Sequence, residues 1–229
     1  MTAVGRLVDA VISGLLRIIC KVDGKQIEKV PAHGPLILIT NHVNFLEIPV
    51  IHCRLRPRKV IGLAKAEAWG NPIVRWLFDQ WEAIPIRRGE SDIGALRQTL
   101  GALKRGAILG LAPEGTRSGH GRLQRGHTGI VTIALRSGAP LLPFVFYGGE
   151  TFRRNVRRLR RTPFHIVVGE PFTLDAGEER IDRNVRQRIT DEIMFQLAAL
   201  LPPAYRGHYA DLEAATETYL RFTASPGAT

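Results

Sequence analysis

The chain has 229 residues, 45% of them apolar and 23% charged, a balance that permits one sizeable core with short appendages and excludes a disordered or collagen-like polymer. Lysine and arginine number 32 against 21 aspartates and glutamates, a formal charge of +11, so the partners to expect are anions: an anionic membrane, a nucleic acid or a phosphorylated substrate. Cys20 and Cys53 lack a C-x-x-C spacing, which argues against a zinc site or a disulfide framework and for a reducing, cytoplasmic setting.

Arg6, Asp9 and Arg17 interrupt the first apolar run and no small-residue cleavage site follows, so it reads neither as a membrane span nor as a signal peptide. Val4, Leu7, Val8, Val11, Ile12, Leu15, Leu16 and Ile19 recur at three- and four-residue steps and predict one apolar stripe on a helix. Packing on the chain's own core and lying in a membrane interface fit that stripe equally well. Residues 1–30 are therefore expected to form an amphipathic helical, membrane-associating arm.

From Pro35 short apolar runs alternate with helical stretches: PLILIT, IPVIHCRL, VIGLAK, IVRWLF, AIPI and a helix from Asp92 to Lys104. AILGLA, a helix near Gly126 to Ser137, PLLPFVFY, FHIVVG and a helix from Asp182 to Leu201 follow, the last with Val185, Ile189, Ile193 and Leu197 on one face. This alternation predicts an α/β domain over residues 31–205, a mixed, mainly parallel sheet covered by helices. An amphipathic stretch around Tyr209, Leu212 and Tyr219 predicts a C-terminal helix and tail over residues 206–229.

In such folds functional loops lie where strands end and helices begin. Two polar segments fall there: NHVNFLE after PLILIT, and PEGTRS after AILGLA. His42 and Glu47, five residues apart, would be separated by about 140° on an ideal helix and would face opposite sides of a strand. They meet only if the chain turns between them. Pro49 suggests that turn, because proline favours the first turn of a helix; His42 then lies in the preceding loop and Glu47 at the helix start. Glu47 can there accept a proton from one ring nitrogen of His42, leaving the other to take one from a substrate hydroxyl. A loop histidine and a helix-capping acid would leave the same pattern. PEGTR supplies an acid, a glycine, a hydroxyl and a guanidinium after a strand, a set suited to phosphate, or else an ordinary charged turn.

Taken in order, four blocks resemble those of the glycerolipid (lysophosphatidic acid) acyltransferases: NHVNFLE; AIPIRR, with Arg87 or Arg88 in the basic position and Arg87 preferred; PEGTRS, with Glu114, Gly115, Thr116 and Arg117; and APLLPFVF, with Pro143. AKAEAWGNP resembles the segment between the first two, so the similarity runs from about Pro31 to Pro171. The resemblance implies transfer of a fatty acyl group from acyl-CoA or acyl carrier protein to the free hydroxyl of a lysophospholipid such as 1-acylglycerol 3-phosphate. It implies His42 and Glu47 as catalytic residues, and Arg87, Glu114, Gly115, Thr116 and Arg117 at the acceptor's phosphate. Backbone N–H groups around Gly115 would assist the phosphate or a developing oxyanion. Pro143 would serve the acyl donor or the fold. No metal or resident cofactor is implied, the acyl donor being a co-substrate. One departure stands out: the family has aspartate where this chain has Glu47, one methylene longer.

Outside these blocks, RRNVRRLRR from Arg153 to Arg161 carries six arginines; beside such a signature, contact with anionic phospholipid is the better reading than a merely solvated face. Trp69, Trp76, Phe78 and Trp81 suit either a headgroup boundary or the core. His33, His52, His120, His127, His165 and His208 read as structural or solvent-facing. Together these features place the protein on the cytoplasmic face of a membrane, peripheral or monotopic. The rival class is a non-catalytic protein binding nucleic acid or membranes. A nucleic-acid partner is not expected, since the arginine run contains no aromatic residue for base stacking.

Overall fold

A computed structural model describes residues 3–87 and 92–222. Its strands are β1 (Cys20–Asp23), β2 (Leu36–Ile39), β3 (Val60–Lys65), β4 (Ile84–Ile86), β5 (Ile108–Leu111), β6 (Leu141–Tyr147), β7 (Thr162–Val168), β8 (Phe172–Leu174) and β9 (Leu220–Phe222). The helices are α1 (Ala3–Ile19), α2 (Glu47–Arg54), α3 (Pro72–Gln80), α4 (Ile93–Lys104), α5 (Gly129–Ser137), α6 (Phe152–Arg157) and α7 (Arg183–Leu200). The sheet runs β1-β7-β6-β2-β5-β3-β4, with β8 pairing β6 and β9. β6, β2, β5, β3 and β4 are mutually parallel, β7 is antiparallel to β6, and β1 is parallel to β7. The expected mixed, mainly parallel sheet is present.

The parallel centre explains the unbroken apolar runs, because a strand covered on both faces has no polar side to show. Successive residues of β2 feed opposite cores. Ile37 and Ile39 join Val131, Ile189, Ile193 and Leu197 under α5 and α7. Leu36 and Leu38 join Leu46, Val50, Phe144 and Phe164 on the face covered by α1 and α2. All four side chains of β2 are essentially inaccessible. β2 lies between β5 and β6, both later in the chain, so the loops leaving β2 and its neighbours diverge at the carboxyl end of the sheet, the place where such folds form a ligand crevice.

α1 carries apolar residues on two sides, one packed on the core and one exposed. Leu16 is buried, Ile12 and Ile19 pack partly against the second core, and Asp9 is buried beneath Trp81 and Arg56. Leu7, Val11, Leu15 and Ile18 face outward at 54–70% exposure. The N-terminal segment is not helical throughout, however: Cys20–Asp23 pairs in register with Thr162–His165 and so belongs to the sheet. Among the described residues no helix is long and apolar enough to cross a membrane.

The helix expected after residue 206 is absent among the described residues. Short 3-10 turns and β9 occupy the segment instead. Gly207 breaks any helix there with φ +52, and a Cβ on it would collide with the Leu123 carbonyl oxygen. Buried Glu192 takes up the backbone, accepting from the N–H groups of Thr218 and Tyr219 and from the Thr216 hydroxyl at 2.7–3.0 Å.

Candidate active site

The site is assembled by register. Ile39 of β2 lies opposite Leu111 of β5, so His42 and Glu114, each three residues further on, emerge level with one another. Where β2 stops, Asn41 continues the pairing with its side chain: its Nδ2 donates to the Phe146 carbonyl and its Oδ1 accepts from the Phe146 N–H, both at 2.8 Å. The next turn is clamped to the PEGTRS loop. The His42 N–H donates to Glu114 Oε1 at 2.7 Å, the His42 carbonyl accepts from Ser118 N–H at 2.8 Å, and the Val43 carbonyl accepts from Gly119 N–H at 3.0 Å.

With its backbone held on both sides, His42 points its ring at Glu47, the first residue of α2; Nδ1 lies 3.1 Å from Oε2. The longer glutamate thus closes the contact from the first helical turn. Glu47 is 2% exposed and the His42 side chain 17%, so the acid is sealed while the imidazole remains reachable. The Asn44 N–H donates to both carboxylate oxygens at 3.0 Å. An ionised Glu47 can only accept, so in a neutral imidazole Nδ1 carries the hydrogen and Nε2 keeps its lone pair. Burial pushes Glu47 above the ordinary carboxylate range, opposed by the His42 contact and the Asn44 N–H.

Asn44 escaped the sequence reading. Its Oδ1 accepts from Leu46 N–H at 2.7 Å, and its Nδ2 donates to the Gly149 carbonyl at 2.8 Å, tying the loop to the end of β6. An asparagine three residues before a helix is a known turn former, which was the available signal. Gln124 also went unforeseen.

The members of PEGTR separate into two roles. Glu114, expected at the phosphate, is instead a buried internal tie: its oxygens accept from the backbone N–H groups of His42 and of Gln124, the latter at 2.9 Å. A carboxylate already committed to two backbone donors, and itself negative, has nothing to offer an anion. Burial raises its pKa against those hydrogen bonds. Gly115 has φ +66, and an added Cβ would strike the His127 ring at 2.7 Å; its N–H already donates to the Ala112 carbonyl. Thr116 and Arg117 are exposed beside the His42 loop, and Arg117 forms no ion pair among the described residues.

Arg87 is not brought to this group. It follows β4 at the same end of the sheet, but three strand spacings from β2, roughly 14 Å. Its N–H donates to Asp92 at the start of α4, beside an open groove of about 470 Å³ lined by Ala66, Pro85, Gly94 and Gln98. Arg88, the alternative in that block, lies outside the described residues. Pro143 is buried inside β6 opposite Ile39, its carbonyl accepting from Gly169 N–H, a position in the sheet and not in the crevice.

A family model described as Acyltransferase matches residues 21–147, a span that holds His42, Glu47, Arg87, the PEGTR residues and Pro143. The sequence is 30% identical over 131 residues to a chloroplastic 1-acyl-sn-glycerol-3-phosphate acyltransferase of Brassica napus, covering 56% of this chain and 38% of that one. It is 25% identical over 145 residues to the 1-acyl-sn-glycerol-3-phosphate acyltransferase of Bacillus subtilis, covering 63% and 70%. To a lyso-ornithine lipid O-acyltransferase of Pseudomonas aeruginosa it is 32% identical over 155 residues, covering 60% and 59%. The alignments span less than half the length of two of the plant relatives, 38% of the Brassica napus protein and 44% of an Arabidopsis thaliana one. In fold, the chain resembles the crystal structure of the 1-acyl-sn-glycerophosphate acyltransferase of Thermotoga maritima with a TM-score of 0.59 at 22% identity, covering 83% of this chain and 76% of that one.

Proposed function

The chain belongs to the Acyltransferase family, and on that premise we propose that it moves a fatty acyl group from the thioester of acyl-CoA or acyl carrier protein to the free hydroxyl of 1-acylglycerol 3-phosphate, forming phosphatidic acid. The observation that carries this reading is the His42–Glu47 pair, a sealed carboxylate 3.1 Å from one nitrogen of a reachable imidazole.

In the proposed reaction His42 Nε2 takes the proton of the acceptor hydroxyl as its oxygen attacks the thioester carbonyl. The C–S bond then breaks, and the protonated Nε2 returns the proton to the departing thiolate, leaving an ester and a free thiol. Glu47 keeps the Nδ1–H tautomer and favours the imidazolium between the two steps. Arg117 and Thr116 hold the acceptor's phosphate, the guanidinium being able to meet two of its oxygens at once. Arg87 would reach the same anion only through an acceptor spanning the roughly 14 Å between β2 and β4, so its place in this proposal is at the groove beside α4. The outward row of Leu7, Val11, Leu15 and Ile18 supports peripheral attachment to a membrane, whose cytoplasmic face is part of this proposal.

A second acceptor class is favoured by one relative, since the Pseudomonas aeruginosa protein is named for lyso-ornithine lipid. The test is thiol release from one acyl-CoA with a panel of 1-acylglycerol 3-phosphate, glycerol 3-phosphate, other lysophospholipids and lyso-ornithine lipid, with products read by mass spectrometry. Preferred turnover of 1-acylglycerol 3-phosphate supports the proposal; turnover confined to another acceptor replaces it; no thiol release with any acceptor or carrier protein sinks the enzyme reading.

A further inference from the structure

Six arginines crowd residues 153–161, and all six are exposed. Among the described residues only the Arg161 side chain of the six makes a hydrogen bond to the fold: its Nε and Nη2 donate to the Cys20 carbonyl, at 3.2 and 2.7 Å, where α1 gives way to β1. Arg153, Arg154, Arg157, Arg158 and Arg160 form no ion pair among the described residues. Leu159 stands among them at 98% exposure, with φ +51, a conformation that branched side chains rarely adopt; Val156 beside it is 42% exposed.

This tip is built and held. The Asn155 carbonyl accepts from the N–H groups of Arg158 and Arg160, at 3.0 and 2.9 Å, and the Asn155 side chain donates to the Thr151 and Thr162 hydroxyls. The same element is fastened to the candidate active site. Phe152 meets Phe45, a residue of the His42 loop, edge to face with centroids 5.5 Å apart, and the preceding Gly149 carbonyl accepts from Asn44. Through Arg161 it is also fastened to the end of α1, whose Leu15 and Ile18 point outward. Cations surrounding an aliphatic finger suit a surface with anionic groups outside and hydrocarbon beneath. Nucleic acid would call for rings, of which residues 153–161 have none, and an acidic protein face offers no apolar layer for Leu159.

We propose that residues 153–161 form a docking element for anionic lipid surfaces, with five arginines on the headgroups and Leu159 inserted between them. Its attachment to the His42 loop sets the mouth of the crevice against the bilayer; that this delivers a lysolipid acceptor rests on the acyltransferase reading.

The test uses the full chain with vesicles of phosphatidylcholine, with and without an equal share of phosphatidylglycerol. Arg153→Gln, Arg154→Gln, Arg157→Gln, Arg158→Gln and Arg160→Gln, combined, are expected to weaken binding to the anionic vesicles by at least about 30-fold, equivalent to about 2 kcal/mol, and to leave binding to the neutral ones unchanged. Leu159→Gly suits the left-handed backbone, so it is expected to keep or raise the melting temperature while weakening anionic-vesicle binding several-fold. Turnover of a short-chain acceptor dissolved as monomers should be unchanged in both variants. Wild-type binding by either variant overturns the proposal. So does an equal loss on neutral vesicles, or a loss confined to RNA or an acidic carrier protein. A wild-type chain that binds anionic vesicles yet turns over no acceptor would leave the docking element standing and remove the enzymatic reading instead.

Discussion

Glu47→Gln isolates the proposed chemistry from the fold. The amide oxygen can still accept the Asn44 N–H, but the amide nitrogen then faces His42 Nδ1 and must donate to it. The imidazole hydrogen moves to Nε2, which loses the lone pair that receives the acceptor's proton. Losing a positioned general base costs about 10² to 10⁴ in kcat, or about 3 to 5 kcal/mol. Stability behaves differently. Burial holds Glu47 above its ordinary value of 4.5, so between that value and the raised one the folded chain keeps a proton that the unfolded chain has released. The folded state then binds more protons, and stability falls as pH rises through that window. The Gln variant lacks this titration, so the stability of the wild type minus that of the variant is expected to decline with rising pH and level off above it. Thiol release gives kcat, and urea unfolding across pH gives the second curve. A kcat close to wild type in a folded Gln variant would refute the tautomer argument and reduce Glu47 to a helix cap.

His42→Ala is expected to abolish turnover with little change in melting temperature, because the loop is held by its backbone and the ring is not part of either core; appreciable activity would remove the general base. Arg117→Lys is expected to lose about ten- to a hundredfold in kcat/KM on a phosphate-bearing acceptor, the worth of one charge-assisted contact of roughly 1.5 to 3 kcal/mol, and almost nothing on a matched acceptor without phosphate. Equal losses on both, with a lower melting temperature, would make Arg117 structural. The two sides of α1 are expected to separate: Leu16→Ala destabilises by about 2 to 5 kcal/mol in urea titration, whereas Leu7→Ser with Val11→Ser spares stability and weakens vesicle binding. Removing residues 1–20 whole would confound the two, since it deletes buried Leu16 and Asp9 and the first residue of β1.

What could be read in the chain itself was whatever depends on neighbours in sequence. PLILIT announces a strand because four apolar residues, Leu36 to Ile39, follow one another, and a His42–Glu47 contact could be expected because the following Pro49 suggests a loop-to-helix turn between them. Distant partners were not legible. Glu114 looked like a member of a phosphate loop, yet its carboxylate is spent on a backbone N–H 72 residues away; Asn44, which drew no reading, reaches Gly149, 105 residues on. Tyr209, Leu212 and Tyr219 have helical spacing, but Gly207 and buried Glu192 give that stretch turns and a strand. Arg87 and Arg117 looked equivalent as basic residues in ordered blocks, and only the strand order set one beside His42 and the other three strands away. The physical reason is that periodicity reports which face of an element avoids water, a property of local spacing. Which carboxylate meets which N–H, and which cation stays unpaired, is settled only when strands distant in sequence pair in register and their loops meet at one end of the sheet.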